Sequence, residues 1–243
     1  MKRLFSIVAA AAVVAIMCAA DSAPEKITIW MMGDSTMADK PIGKMNPERG
    51  WGQYFRSLFD DGVQVKNRAQ NGRSTKSFIT RGLWSEVEAG MKRGDYVFIQ
   101  FGHNDQKESD PERFAAPWGE YSENLRLFVQ TVLDKGAVPV LLTPIARRHF
   151  DSDGNLKNVH ADYPAAMKSV AQEKGVLLID MTSLTGQWLT GLGDEASQEY
   201  FMNVPAGINP RYPDGLDDNT HLNGKGACVV ARFAAQQVRE LIP

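Results

Sequence analysis

Two hydrophobic rhythms alternate along this chain. Residues 27–32, 63–65, 96–101, 138–142 and 176–179 form short apolar or β-branched runs. The third and fifth are almost continuously apolar, which is the pattern of strands buried on both faces of a sheet. Between the runs, apolar side chains recur at helical spacing. Trp51, Tyr54, Phe55, Leu58 and Phe59 make one such stripe, and Tyr121, Leu125, Phe128, Val129 and Val132 make another. Residues 161–174 and 223–241 also read as amphipathic helices. Strands alternating with helices predict an α/β fold with a parallel sheet covered on both faces. Two segments, about 103–117 and 193–222, follow neither rhythm. Irregular stretches of that length inside a compact domain are usually functional. In open α/β sheets ligands bind beyond the carboxyl ends of the strands, so the residues just after each strand are the first place to look for chemistry.

The N-terminus changes the domain picture. Lys2 and Arg3 precede an apolar, Ala-rich stretch through Ala20. That order reads as a secretory signal cleaved after Ala20, and the stretch is short for a bilayer span, which needs about 20 apolar residues. The expected organisation is a signal peptide at 1–20 and a single domain at 21–243, in a protein that is secreted or periplasmic and free of the membrane after cleavage. Of 243 residues, 27 are basic and 29 acidic, so no electrostatic case exists for a nucleic-acid partner. Cleavage would leave Cys228 alone, without an intramolecular disulfide and, on its apolar helical face, as a core residue. Residues 151–155 alternate oxygens like a calcium loop, but their Gly stands fourth rather than sixth and no Glu stands twelfth, so they read as a turn. The four His residues show no metal-ligand spacing, and no metal or cofactor is expected.

Each strand end carries polar residues of a different kind. Gly33-Asp34-Ser35-Thr36 follows the first strand, where the Ser hydroxyl would stand at the rim of the sheet; the same residues could simply cap a helix. Asn71-Gly72-Arg73 follows the second, and Asn-Gly is a turn signal that also lets backbone approach a ligand. Gly102-His103-Asn104-Asp105 follows the third and offers a side-chain amide as a donor. Thr143-Pro144, then Arg147 and Arg148, follow the fourth. Near the C-terminus Asp218 and His221 lie three apart, so both can reach one site from one loop. Together these supply a hydroxyl nucleophile, a base, a carboxylate to orient the base, and several donors, which is the inventory for acyl transfer.

Gly33-Asp34-Ser35, Gly72, Gly102-His103-Asn104-Asp105 and Asp218-Asn219-Thr220-His221 resemble, in order and over nearly the whole expected domain, the four blocks of the SGNH (GDSL-like) hydrolase superfamily. Within it the chain is most similar to the rhamnogalacturonan acetylesterases (carbohydrate esterase family 12-like). The cues are Gly33-Asp34-Ser35-Thr36-Met37-Ala38, Gly50-Trp51-Gly52-Gln53, Asn71-Gly72-Arg73-Ser74 and Thr143-Pro144 with Arg147-Arg148. The G-x-S-x-G elbow of α/β-hydrolases is absent. The resemblance implies a flavodoxin-like three-layer sandwich with about five parallel strands. It implies Ser35 as nucleophile, His221 as base and Asp218 as its orienting carboxylate, with an oxyanion hole from the Ser35 and Gly72 N–H groups and the Asn104 amide. Arg73, His103, Arg147 and Arg148 are then the candidate substrate-binding residues. The implied substrate is an acetylated plant cell-wall polysaccharide, pectin in particular. A lipase or thioesterase of the same superfamily would need a long apolar groove; Trp51, Trp84, Trp118 and Trp188 as walls suit sugars better. A polysaccharide-binding protein without activity is the reading from another class, and a chromogenic acetate assay separates it from the others.

Overall fold

A computed structural model describes residues 26–43 and 45–241 of the chain; the expected signal at 1–20 lies outside the described residues. Five strands, β1 (Ile27–Gly33), β2 (Val63–Asn67), β3 (Tyr96–Gln100), β4 (Val138–Leu142) and β5 (Leu177–Ile179), form one parallel sheet in the order β2-β1-β3-β4-β5. This is the flavodoxin-like order, and its topological switch point lies between β1 and β3.

Side chains alternate across each strand, so every strand feeds two cores. Ile29 and Met31 of β1, Phe98 of β3, and Val140 and Leu142 of β4 point to one face. Trp30, Met32, Val97, Ile99 and Leu141 point to the other. On the first face pack α1 (Gly52–Phe55), α6 (Met181–Ser197) and α7 (Gly224–Leu241). On the second pack α2 (Thr75–Thr80), α3 (Leu83–Gly90), α4 (Ser122–Asp134) and α5 (Tyr163–Lys174). The result is the three-layer sandwich that the sequence implied.

Several expectations are corrected. The β2–β3 connection carries two helices, α2 and α3, which the apolar pattern did not announce. β5 is a three-residue edge strand and only half buried, because no further strand covers its free side. Residues 193–222 are not structureless: α6 runs through 197 with a break at Gly193, and β6 (Phe201–Val204) pairs antiparallel with β7 (Leu216–Leu222). Cys228 is half buried rather than a core residue. The 151–155 segment is the expected turn, with Asp151 Oδ1 accepting from the Asp153 and Asn155 N–H groups at 2.9 Å each.

Candidate active site

The carboxyl ends of β1, β2 and β3 open into a cavity of about 600 Å³, lined by Ser35, Asn71, Gly72, His103, Asn104, Arg147, Asp218 and His221 among others. Ser35 enters a tight turn directly after β1. Asp34 caps that turn: its Oδ1 accepts from the Thr36 N–H at 2.9 Å and the Thr36 hydroxyl at 2.8 Å, and its carbonyl accepts from the Ala38 N–H at 3.0 Å. Beneath the turn, Gln100 accepts from the Trp51 indole N–H at 2.9 Å. Asp34 is fully buried, and burial raises its carboxyl above the usual carboxylate range.

Asp218 and His221 arrive on β7 rather than in a loop, but the strand is irregular there. Phe201 pairs with Leu222 while its neighbour Met202 pairs with Asp218, so Asn219, Thr220 and His221 bulge out of the ladder. Bulges re-aim side chains, and this one turns His221 toward Ser35. Asp218 Oδ1 accepts from the N–H groups of Thr220 at 2.8 Å and His221 at 3.0 Å, which fixes the bulge from within. Its Oδ2 lies 2.7 Å from His221 Nδ1, and His221 Nε2 lies 2.8 Å from Ser35 Oγ. Burial alone would lower His221; the hydrogen bond and charge of Asp218, aided by Glu48, outweigh it and hold the imidazole above its ordinary value. Burial opposes ionisation of Asp218, yet its bonds to His221 bring the carboxyl down to about 2. A hydroxyl bonded to an imidazole that a carboxylate holds in one tautomer can lose its proton as it attacks an acyl carbon.

The three residues expected to supply donors for the oxygen of that carbon line the same cavity. Neither the Ser35 N–H nor the Gly72 N–H donates to any described group. Gly72 has φ +73°, in the region that glycine enters without strain. Asn104 gives one amide hydrogen to the Arg73 carbonyl at 3.0 Å and keeps the other free. Its loop is pinned by Asp105, whose carboxylate accepts from the Thr75 N–H, the Thr75 hydroxyl and the Gly102 N–H.

The expected substrate contacts divide. Arg147 lines the cavity, donating from Nε to His103 Nδ1 at 3.2 Å and from Nη2 to the His103 carbonyl at 3.0 Å. None of the ion pairs among the described residues includes it. His103 also lines the cavity but is buried, and burial, then the charges around it, holds its pKa well below the ordinary value. Arg73 borders an adjoining depression of about 300 Å³ instead, beside Arg81, Asp110 and Arg113. Arg148 is turned into the protein at 8% exposure. Its guanidinium bonds Asp194, the Ser197 hydroxyl at 3.1 Å and Asn219 Oδ1, and its own N–H reaches the Asn219 carbonyl at 2.8 Å. It therefore braces the bulge that carries His221 and does not face the cavity.

None of the four tryptophans is a wall. Trp51 and Trp84 lie in the two cores, Trp188 packs on Tyr200 and Phe233, and Trp118 is exposed away from the cavity with its indole N–H on Asp162. The apolar walls are Met202, Tyr212 and Leu216, with Glu48, Lys107, Arg113 and Thr220 adding polar ones. Sequence reasoning gave none of these seven a role in the site, although six of them fall inside the two segments flagged for their irregular length. Among the described residues no group of three or more His, Cys, Asp or Glu could hold a metal ion, and no helix is long and apolar enough to cross a membrane.

The sequence matches the GDSL-like lipase/acylhydrolase family over residues 31–227. It is 40% identical over 215 residues to the rhamnogalacturonan acetylesterase RhgT of Bacillus subtilis (strain 168), covering 88% of this chain and 90% of that one. The crystal structure of the YxiM protein from Bacillus subtilis is similar with a TM-score of 0.75 and 29% identity, over 89% of this chain and 57% of that one. Axe2, an acetylxylan esterase from Geobacillus stearothermophilus, shares the fold with a TM-score of 0.63 and 20% identity, over 90% of this chain and 95% of that one.

Proposed function

This chain belongs to the GDSL-like lipase/acylhydrolase family, and from that premise we propose that it is a serine esterase removing acetyl groups from a plant cell-wall polysaccharide, acetylated rhamnogalacturonan in particular. The observation that carries the proposal is the hydrogen-bonded chain from Ser35 Oγ to His221 Nε2 and from His221 Nδ1 to Asp218 Oδ2, at 2.8 and 2.7 Å, on the wall of an open cavity. Ser35 attacks the acetyl carbonyl as His221 takes its proton. The tetrahedral oxyanion is held by the N–H groups of Ser35 and Gly72 and by the free amide hydrogen of Asn104. Collapse expels the sugar hydroxyl, which receives the proton from His221, and leaves acetyl-Ser35. Water, activated by His221, then releases acetate and restores the serine. The 1–20 pattern supports export before the enzyme meets such a substrate; the mature N-terminus, read by sequencing, tests this and is expected near residue 21.

The test of the activity is acetate release from a panel of acetylated pectin, xylan, peptidoglycan and short acyl esters. The highest kcat/KM is expected on the pectic substrate. Preference for xylan or peptidoglycan would move the substrate while keeping the chemistry, and no release from any of them would remove the esterase reading.

Asn104→Ala is expected to lower kcat by roughly 10² to 10³, the usual loss for one oxyanion donor. KM should change little, because the amide serves the transition state more than the ground state. A raised KM with kcat intact would instead make Asn104 a binding residue.

The charge of a uronate backbone gives the substrate its own test. Burial pulls Arg147 below its usual value, and burial with the charges of Arg113 and Arg147 does the same to Lys107. These two cations pair with no carboxylate among the described residues and face one cavity, an arrangement that a sugar carboxylate would relieve. Arg147→Met should therefore lower the ratio of kcat/KM on acetylated pectin to that on a small neutral acetate by about tenfold, as expected for one hydrogen bond to a charged group. The difference should shrink at high salt. If both substrates suffer alike, Arg147 only holds His103 in place.

A further inference from the structure

Lys40 is a buried charged side chain that the reaction above leaves unused. It sits behind the turn that carries Gly72, with its side chain only 1% exposed. Burying an ammonium is costly unless its partners are well placed, so a lysine retained there calls for a reason. Its backbone is fixed first: Gln53 Oε1 accepts from the Lys40 N–H at 3.1 Å, and Gln53 Nε2 donates to the Lys40 carbonyl at 2.9 Å. From that fixed point the ammonium reaches Glu48 Oε1 at 2.7 Å and the Asn71 side-chain oxygen. Asn71 is exposed and could have used water. The bond to Lys40 therefore fixes Asn71 rather than satisfying it.

What is fixed is the peptide between Asn71 and Gly72. Residues 70–73 form a β-turn closed by the Arg73 N–H on the Gln70 carbonyl at 3.3 Å. The positive φ of Gly72 at its third position marks the type II form. Types I and II differ by a flip of the central peptide, which reverses the direction of the Gly72 N–H. In a trans peptide that N–H points away from the preceding carbonyl, and the Asn71 carbonyl is itself held by Arg73 Nε at 3.2 Å. Asn71 is thus gripped by its side chain from one cation and by its carbonyl from another.

We infer that Lys40 is a positioning residue for the oxyanion hole: by gripping the Asn71 side chain it holds the Asn71–Gly72 peptide in the orientation that presents the Gly72 N–H to the reacting carbonyl. The inference rests on the serine-esterase reading above. Without Lys40 the turn samples the flipped form, and one oxyanion donor is lost for part of the time.

The test compares Lys40→Met, Asn71→Ala and the double variant with wild type and with Ser35→Ala, on a chromogenic acetate ester, with a small boronic acid as a tetrahedral mimic. Lys40→Met is expected to lower kcat about 10- to 100-fold, short of complete loss of one donor. KM should stay within about threefold, while Ki for the boronic acid rises in step with the fall in kcat. Asn71→Ala, which leaves the Lys40–Glu48 ion pair intact, should reproduce the loss even if Lys40→Met folds poorly. The double variant should be no worse than the worse single one, because both remove the same link. Wild-type kcat in a folded Lys40→Met, losses that multiply, or a silent Asn71→Ala would overturn the inference. A fully active Ser35→Ala would overturn the serine reading and this inference with it, so the two failures are told apart.

Discussion

Ser35→Ala is expected to lower kcat on an acetate ester by roughly 10⁶-fold, with the fold intact. The change removes one oxygen from a turn whose geometry is set by Asp34, Thr36 and Ala38 and not by the Ser35 hydroxyl. His221 loses a partner but faces the cavity, where water can replace it. The thermal midpoint should therefore move little while turnover collapses. Members of a triad act as a unit, so His221→Ala should cost about as much and the pair together little more. The residual rate, about 10³ over water, would come from the oxyanion donors and binding. Kinetics beside a circular-dichroism melt check this; a loss of both fold and activity would show a structural serine instead.

Asp218→Asn should lower kcat by about 10⁴, because the wrong tautomer of His221 is then favoured. The side-chain oxygen of Asn can still accept from the Thr220 and His221 N–H groups, so the bulge survives. Its NH₂ then replaces the oxygen 2.7 Å from His221 Nδ1 and donates to that nitrogen. The proton moves to Nε2, which now points a donor at Ser35 and cannot take its proton. The pH profile carries the same argument. His221 acts as base only when neutral, and Asp218 holds it above its ordinary value of 6.5, so kcat/KM in the wild type should fall as pH drops through an apparent pKa above 6.5. Asp218, held at about 2, stays ionised throughout that range. Removing its charge leaves burial to dominate, and the acid limb of Asp218→Asn should shift to lower pH. A limb that stays in place would mean that another group sets it.

The sheet was legible in the sequence because buried parallel strands need continuous apolar runs, as residues 96–101 supply; residues 176–179 read the same way but form the half-buried edge strand β5. The positions of Ser35, Gly72 and Asn104 followed, since the end of a strand in such a sheet is an address. β6 and β7 were not legible: residues 216–222 read Leu-Asp-Asp-Asn-Thr-His-Leu, with no alternation, because their bulge serves Asp218 and His221 rather than a core face. Arg148 shows the limit of reasoning from position. It follows the fourth strand as Arg147 does, but neighbouring residues point opposite ways, and only packing reveals that Asn219, Asp194 and Ser197 receive it. Tryptophan is misleading in the same way: Trp51 and Trp84 are drawn into the cores, and Tyr212 and Met202 line the cavity instead. Lys40 and Glu48 gave no signal, because a buried ion pair depends on loops brought together by the fold.

The central claim is that Ser35 is the nucleophile, made reactive by His221, and covalent capture tests it most directly. A serine-directed organophosphonate is added to the wild type, to Ser35→Ala and to His221→Ala, and the proteins are weighed intact and mapped by peptide. One adduct on Ser35 is expected in the wild type, none in Ser35→Ala, and greatly slowed labelling in His221→Ala. An adduct on another residue, or an active esterase that takes up no label, would contradict the account.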